Sequence, residues 1–340
     1  MKMKFILPVA ALLALPPASA FAASAGNSAG HILKLGVGAR YAALGDTGYS
    51  DAGDSYAIFW NPAALGLVDR CSVSTSYASL VESVGHAAAA AACPVKGFGA
   101  AALGGQSLNY GKLDSRDNAG TVDGSFTPSD RVLSAAWGLR FWEHASVGAA
   151  VKQVSVKIDN DDSAFTSDAG LLLRFSPVTL GAALKNSGGK VKLNEVNESL
   201  PRTVVIGAQT DLDQVTLMAA MNSSKDARWY SGGAEYYFSP KEEGAPVVLR
   251  AGYSTRQKTK GVNFTFGVGI MEGRWALDYA LVPYGELGLT HHLSVSCFFS
   301  TRRPAKERLR DRIAPKDIPG PLPDRFILMP GQPASKGGKK

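Results

Sequence analysis

Apolar and polar residues alternate along most of the chain from residue 70 to residue 299. In the clearest stretch every second residue is apolar: Trp275, Leu277, Tyr279 and Leu281. The stretch from Leu289 to Phe299 follows the same pattern, with small or polar residues between the apolar ones. A period of two is typical of β-strands that expose one face to apolar surroundings. The pattern therefore predicts an all-β structure.

The alternating region divides into fourteen segments, an even number. They lie near 70–82, 85–95, 98–110, 129–143, 145–157, 164–175, 177–186, 200–211, 213–221, 228–239, 245–256, 260–272, 273–281 and 287–299. Most have roughly 9–13 residues, which is long enough for a tilted strand to cross a bilayer.

The connections between these segments differ in length in a regular way. The two long ones, 111–128 and 188–199, both follow odd-numbered segments, whereas those after even-numbered segments are mostly tight turns. A soluble sandwich would also alternate, but it has no reason to sort its loops by side. Long loops on one side and short periplasmic turns on the other favour an outer-membrane barrel. We therefore predict an antiparallel transmembrane β-barrel of about fourteen strands, covering residues 70–299.

Residues 1–23 have the features of a cleaved export signal. A basic start, Met1 to Lys4, precedes an apolar run from Phe5 to Leu15 and a small-residue region that ends in Ala20-Phe21-Ala22. No later segment has about 18 uninterrupted apolar residues, so the sequence predicts no transmembrane helix. Export agrees with the predicted barrel.

Residues 24–69 form a glycine-rich segment between the export signal and the first strand. Asp54 is a candidate helix cap, and Asn61 followed by Pro62 is a second helix-start signal. Gly36-Val37-Gly38 does not indicate a dinucleotide loop, because Tyr41 occupies the position of the third glycine and no strand pattern precedes it.

This segment resembles the N-terminal signature of the PorV/PorQ family, a group of outer-membrane barrels related to FadL-type long-chain fatty acid transporters. The resemblance begins with LKLGVGARYAALGD, Asp54 and FWNPAALGL. Further similar motifs follow in order: Ala183 to Gly188, Leu200 to Arg202, Gly233 to Phe238, Leu249 to Tyr253, and Asp278 to His291. The resemblance covers roughly residues 28–299. The family often has glycine where this chain has Ala64.

The glycine-rich segment is expected to fold into the lumen as a plug. Its apolar content favours this over a periplasmic extension, and the resemblance implies the same, because FadL-type barrels carry an N-terminal hatch with an Asn-Pro-Ala motif. The residues expected to build the plug are Gly36, Gly38, Arg40, Asp54, Trp60, Asn61 and Pro62. The protein is then integral to the outer membrane, in contact with its lipid, and both termini are expected in the periplasm.

Two functions remain open from the sequence. The resemblance to PorV-like proteins implies a role in type IX-like secretion, with exported cargo or secretion components as partners of the loops and rim. The alternative is a FadL-like transporter with a long-chain fatty acid or other hydrophobic ligand in the lumen. A general porin is disfavoured because a filled lumen blocks diffusion.

Residues 300–340 form a basic, proline-rich segment, expected to be a disordered periplasmic tail. Residues 302–340 carry eleven Lys and Arg against four Asp and Glu, an excess equal to the formal net charge of +7 of the whole chain. The basic balance is therefore a property of the tail and does not indicate nucleic-acid binding. An acidic partner, anionic lipid, the cell wall or solvent alone would suit the tail.

The sequence shows no enzyme motif and no cofactor site. The five histidines form no zinc pattern, and neither a nucleophile elbow nor a P-loop is present. The acidic run from Asp159 to Asp162 is expected to be a solvated turn rather than a calcium site. Cys71, Cys93 and Cys297 are interpreted as small lipid-facing residues, with a Cys71–Cys93 disulfide as the alternative.

Overall fold

Fourteen antiparallel strands close into a single barrel in the computed structural model of this chain. The barrel closes where the first strand pairs with the last, Cys71 opposite Phe299. The structure describes residues 29–299 with the exception of 52, 118–119, 158–160, 194–195, 226, 239–244, 257–262 and 286–287. The predicted signal peptide, residues 24–28, the tail and Asp159–Asn160 lie outside the described residues.

The strands of the barrel are β1 (Cys71–Ser79), β2 (Gly85–Val95), β3 (Gly99–Asn109), β6 (Ser129–Trp142), β7 (Ala145–Lys157), β8 (Asp161–Phe175), β9 (Val178–Ser187), β12 (Thr203–Leu212), β13 (Val215–Ser224), β14 (Arg228–Phe238), β15 (Val247–Ser254), β16 (Phe264–Glu272), β17 (Trp275–Pro283) and β18 (Leu289–Phe299). Two hairpins outside the barrel pair β4 (Leu113–Arg116) with β5 (Val122–Phe126) and β10 (Lys190–Leu193) with β11 (Val196–Ser199). The short helices are α1 (Ala39–Ala43) and α2 (Ala57–Trp60), with 3₁₀ segments η1 (His31–Lys34), η2 (Gly48–Ser50), η3 (Pro62–Leu67) and η4 (Val81–Ser83).

The predicted all-β fold, fourteen strands and alternating faces are confirmed. On β17, the side chains of Trp275, Leu277 and Tyr279 are exposed on the outer face, while Ala276 and Asp278 are buried on the inner face. Small and polar inner residues leave room in the lumen, and large apolar outer residues form a continuous apolar surface. None of the helices in the described part of the chain is long and apolar enough to cross a membrane.

The two long connections are more ordered than the sequence suggested. Each was expected to be a loop, but each folds back on itself as a short hairpin, with Leu113 opposite Phe126 and Lys190 opposite Ser199. Strands of four or five residues give too few repeats of a period-two pattern to stand out from a loop.

Long and short connections lie at opposite ends of the barrel, which we call the loop end and the turn end. Gly30 packs beside Leu200 and Val154 at the loop end, whereas Gly66 packs against Leu139 at the turn end. The chain therefore crosses the whole lumen before β1 begins. The described chain starts at the loop end and finishes with Phe299 at the turn end. The expected periplasmic location of both termini concerns residues outside the described part and stays a prediction.

Cys71 and Cys93 form a disulfide between β1 and β2, with their Cα atoms 4.0 Å apart. The favoured interpretation of these two residues as unlinked was therefore wrong, and the alternative is what the structure contains. The alternation of the sequence predicted that both cysteines face outwards near one rim of the barrel. It could not show that they lie opposite each other on paired strands. Cys297 is a free, half-buried cysteine on β18.

Candidate functional site

The described residues between 29 and 68 lie inside the barrel, and we call this segment the plug. Its α1 contacts β15 to β18, its η2 contacts β9, β12 and β13, and its η3 contacts β3 and β6 to β8. The main core joins plug aromatics to inward alanines of β2 and β3, such as Ala90 and Ala102. Alanine at these positions gives the bulky plug side chains room to reach the wall.

Asn61 joins three parts of the structure with one fully buried side chain. Its Oδ1 accepts a hydrogen bond from the backbone N–H of Ala63 at 3.1 Å and so caps η3, where Pro62 takes the first helical position. Its Nδ2 donates to the carbonyl of Tyr49 at 2.9 Å and to the carbonyl of Leu171 in β8 at 3.3 Å. The Asn-Pro pair thus fixes a turn of the plug and ties it to the wall.

Trp60 is the centre of an aromatic cluster within the plug. Its Nε1 donates to the carbonyl of Val37 at 3.0 Å, and its ring lies 5.1 Å from that of Tyr41 and 5.0 Å from that of Tyr49. Lys185 of β9 donates from Nζ to the carbonyl of Phe59 at 2.7 Å and lies 5.6 Å above the Trp60 ring. A wall cation therefore holds the plug through a carbonyl and an aromatic face.

Arg40 forms the strongest link between plug and wall. Its Nε and Nη2 donate to the two carboxylate oxygens of Glu235 on β14 at 2.7 and 2.8 Å, and its Nη1 pairs with Asp51. A bidentate arginine–carboxylate pair is both strong and directional. Burial alone would lower the pKa of Arg40, but Asp51 and Glu235 together raise it well above its ordinary value.

The wall continues this ion pair into a network. Arg250 of β15 donates from Nε to Glu235 at 2.7 Å, and its Nη1 lies 2.8 Å from Asp278 of β17. The Tyr237 hydroxyl also donates to Glu235, at 3.0 Å. Along the series of contacts, acidic and basic side chains alternate in the order Asp51, Arg40, Glu235, Arg250 and Asp278. Each buried charge therefore has a neighbour of opposite charge, as buried ions require.

Inward-facing glycines line the wall where the plug backbone approaches it. A Cβ atom at Gly138 would lie 2.6 Å from the Pro62 carbonyl oxygen, and one at Gly233 would lie 2.7 Å from the Leu44 carbonyl oxygen. A Cβ atom would also overlap the plug at five other glycines of the wall: Gly148, Gly170, Gly181, Gly252 and Gly267. Any side chain would push the plug away, so the wall and the plug are matched in shape.

The other plug residues singled out from the sequence have local structural roles. The Asp54 carboxylate accepts a hydrogen bond from the backbone N–H of Tyr56 at 2.9 Å, just before α2 begins. Gly38 adopts a φ of 93° beside the rings of Tyr41 and Tyr56. A Cβ at Gly36 would overlap the carboxylate of Asp46. The structure thus brings all seven predicted residues together in the lumen, while their functional role remains a proposal.

Above the plug, towards the loop end, the described residues enclose a cavity of about 300 Å³. Lys34 and Asp46 line it from the plug, and His86, Arg256 and His292 line it from the wall. Burial raises the pKa of Asp46, an effect that Arg256 and Lys185 oppose only in part.

A smaller space of about 40 Å³ adjoins this cavity and shares Lys34, Asp46 and Arg256 with it. Lys185 and Trp229 also line it, and the Arg256 guanidinium lies 4.9 Å from the centre of the Trp229 ring. Three basic side chains, those of Lys34, Lys185 and Arg256, therefore surround this part of the lumen beside one carboxylate. Such surroundings suit a ligand that combines an anionic group with an apolar body.

Several residues of this site were not singled out from the sequence, namely Glu235, Arg250, Asp278, Lys185 and Arg256. Glu235 and Asp278 could have been noticed in the sequence, because each is an acidic residue at an inward-facing position of an alternating strand. The partners of these residues could not be read from the pattern. Among the described residues no group of three or more His, Cys, Asp or Glu could hold a metal ion.

Comparison with known proteins shows the fold but no closer relationship. No family model matches the chain, and no curated protein matches it. The structure is similar to that of a Pseudomonas aeruginosa FadL homologue, with a TM-score of 0.52 and 11% identity, over 78% of this chain and 98% of that one. It is also similar to the Pseudomonas putida toluene transporter TodX, with a TM-score of 0.53 and 12% identity, over 77% and 96% of the two chains. The chain therefore has the fold of FadL-type barrels.

Proposed function

We propose that this protein is an outer-membrane transporter for a hydrophobic small molecule that carries an anionic group, with long-chain fatty acids as the first candidates. The observation that carries the proposal is the cavity above the plug together with the smaller space that adjoins it, where Lys34, Lys185 and Arg256 lie near aromatic side chains. The structurally similar proteins are a FadL homologue and a toluene transporter, which supports a hydrophobic substrate over a protein cargo.

The outer surface supports a membrane location. Exposed apolar residues cover it, including Leu133, Val151, Phe266 and Leu277, while every strand of the barrel pairs with two neighbours. A closed ladder leaves no strand edge unpaired in lipid, and an apolar band matches the hydrocarbon layer. With the long loops outside the cell, the cavity lies on the side from which a nutrient arrives.

The chemistry of the cavity favours an acid over a neutral hydrocarbon. Arg256 is half-buried beside Trp229, and a carboxylate next to it would accept a charge-assisted hydrogen bond from its guanidinium. The aromatic face of Trp229 offers contact area to the adjoining apolar chain. Both parts of a fatty acid therefore have a matching surface in one place.

The plug fills the lumen below the cavity, so passage requires a movement of the plug or of the wall. The barrel ladder is closed, but its register shifts between Ser167 and Ala169, where β8 pairs with β9. Lys152 bridges this irregularity through Asp168 and Asn186, next to the smaller space. In this proposal the irregularity is the part of the wall that yields.

A binding measurement on the full mature protein in detergent tests the proposal. We expect radiolabelled oleate to bind about tenfold more tightly than its methyl ester, because only the acid gains a charge-assisted hydrogen bond. Arg256→Ala should remove this preference. Arg131→Ala, which changes an exposed arginine on the outside of β6, should keep it. Equal binding of acid and ester by the unmodified protein would overturn the proposal.

A role in protein secretion, implied by the resemblance to PorV-like proteins, is the second candidate. The hairpin β4–β5 favours it, because its residues are mostly exposed at the loop end. The hairpin β10–β11 is less available, since Val191 is buried in a core with Ile32 and Leu200. A pull-down from outer membranes tests this candidate: exported proteins should co-purify with the natural chain and be lost when residues 113–126 are replaced by a short linker.

A further inference from the structure

A groove of about 520 Å³ crosses the outer face of the barrel over β13 to β16. Its floor is formed by outward positions with little or no side chain: Gly232, Ala234 and Ala251. Its sides are formed by larger outward residues, including Leu217, Tyr253 and Phe264. The groove thus interrupts an otherwise bulky apolar surface.

The groove is separate from the lumen. The β14–β15 ladder is continuous beneath it, from Ser231 opposite Ser254 to Phe238 opposite Val247. On the inner side of the same wall, Gly233 is covered by the plug backbone at Leu44. A molecule in the groove therefore lies against the outer wall and has no open way into the cavity above the plug.

Two cations lie at the loop end of β13 and β14, next to the groove but outside its lining. Lys225 and Arg228 are both exposed. Arg228 occupies an outward-facing position of β14, as do Tyr230, Gly232 and Ala234. The segment from Lys225 to Arg228 also contains one acidic residue, Asp226, so its sequence carries a formal net charge of +1. This position next to the groove is suited to a negatively charged group.

The distance from Arg228 to the far end of the groove floor matches one leaflet of a membrane. The six-residue step from Arg228 to Ala234 spans roughly 20 Å of strand. At the usual tilt of about 35–45°, this corresponds to a depth of about 15 Å, half of the hydrocarbon core. A lipid with its head group at Arg228 would extend an acyl chain along the floor of the groove.

We propose that this groove binds one molecule of a phosphorylated, acylated glycolipid of the outer leaflet, of the lipid A type. A phosphate contacts Lys225 and Arg228 by charge-assisted hydrogen bonds, and one acyl chain covers Gly232, Ala234 and Ala251. Burial of the apolar floor under the chain adds to the affinity. The inference rests on the proposed membrane orientation, with the loop end outside, but not on the transported ligand.

Native mass spectrometry of the full mature protein, titrated with purified lipid A in detergent, tests this inference. We expect one lipid A to bind most tightly. Arg228→Ala should weaken this binding roughly tenfold, through the lost charged contact. Ala234→Phe, which fills the floor, should weaken it by a similar factor. The matched controls are Arg131→Ala and Ala89→Phe, both outward and exposed on the opposite part of the wall.

Equal affinity of the groove variants and the controls would overturn the inference, as would equal binding of phosphatidylglycerol and lipid A by the unmodified protein. Heat-modified mobility on a gel confirms that each variant is folded before it is compared. Oleate binding, measured on the same samples, separates this inference from the proposed function. Loss of lipid A selectivity with oleate binding intact contradicts only the groove, and the reverse result contradicts only the transported ligand.

Discussion

Arg40 of the plug and Glu235 of the barrel wall face each other across 195 residues of sequence and form a two-pronged ion pair at 2.7 and 2.8 Å. Both side chains are buried, and Arg250 approaches Glu235 from the neighbouring strand. This arrangement makes the plug part of the folded barrel. It also identifies the contact that must weaken if the plug moves during transport.

Arg40→Ala should loosen the plug. Removal of one partner of a buried ion pair leaves an uncompensated charge, which costs about 3–5 kcal/mol. We expect faster proteolysis within the plug of the folded protein and a higher ion conductance in planar bilayers. Arg131→Ala is the control, because it removes an exposed arginine and should change neither quantity. Unaltered proteolysis of Arg40→Ala would show that the pair does not hold the plug.

Asn61→Ala should destabilise the plug by loss of the cap on η3 and of the hydrogen bonds to Tyr49 and Leu171. A lost helix cap alone costs about 0.5–2 kcal/mol. We expect limited proteolysis to cut the plug several times faster than in the natural protein. Asn109→Ala is the matched control, since Asn109 is exposed and bonds only the nearby backbone of Gly111 among the hydrogen bonds described. Equal cleavage rates in the two variants would contradict this role of Asn61.

Gly138→Ala should interfere with the fit between wall and plug. The new methyl group would lie 2.6 Å from the Pro62 carbonyl oxygen, where backbone on both sides prevents relief. Overpacking of this kind costs about 1–3 kcal/mol. We expect a lower midpoint of unfolding, followed by heat-modified gel mobility. Gly105→Ala is the control, because its nearest neighbour would be a Leu133 methyl at 3.5 Å. Equal midpoints would argue against a tightly matched wall.

The disulfide leaves Cys297 as the one free cysteine of the three in the chain. Alkylation of the denatured protein without reductant should label Cys297 alone, and alkylation after reduction should label all three cysteines. Mass spectrometry of the labelled peptides measures this directly. Three labelled cysteines in unreduced protein purified from an oxidising compartment would contradict the Cys71–Cys93 link.

The regular parts of this fold could be predicted because their signal is local. The alternation at Trp275 to Tyr279 shows which residues face outwards without any knowledge of the partners. The location of the plug followed from its composition and from a resemblance to known barrels. The Arg40–Glu235 pair, the Cys71–Cys93 link and the fit of Gly138 to Pro62 depend on closure of the barrel around the plug. No pattern within a single segment contains that information.

The direction of the plug shows the same limit. The sequence indicated that the plug precedes β1, but only packing of Ile32 with Val154 and Val156 shows that it enters from the loop end. The cavity above the plug exists because the chain enters on that side and leaves room between Lys34 and Arg256. The proposed ligand site is therefore a consequence of how the plug is threaded.

The most direct test of the central proposal is uptake of radiolabelled oleate by Gram-negative cells that lack their own long-chain fatty acid channel. Cells that produce the natural protein should take up oleate faster than cells with an empty vector. Arg256→Ala, present in the outer membrane in equal amount, should lower uptake towards the vector level. Uptake at the vector level by the natural protein, folded in the outer membrane, would contradict the transporter account.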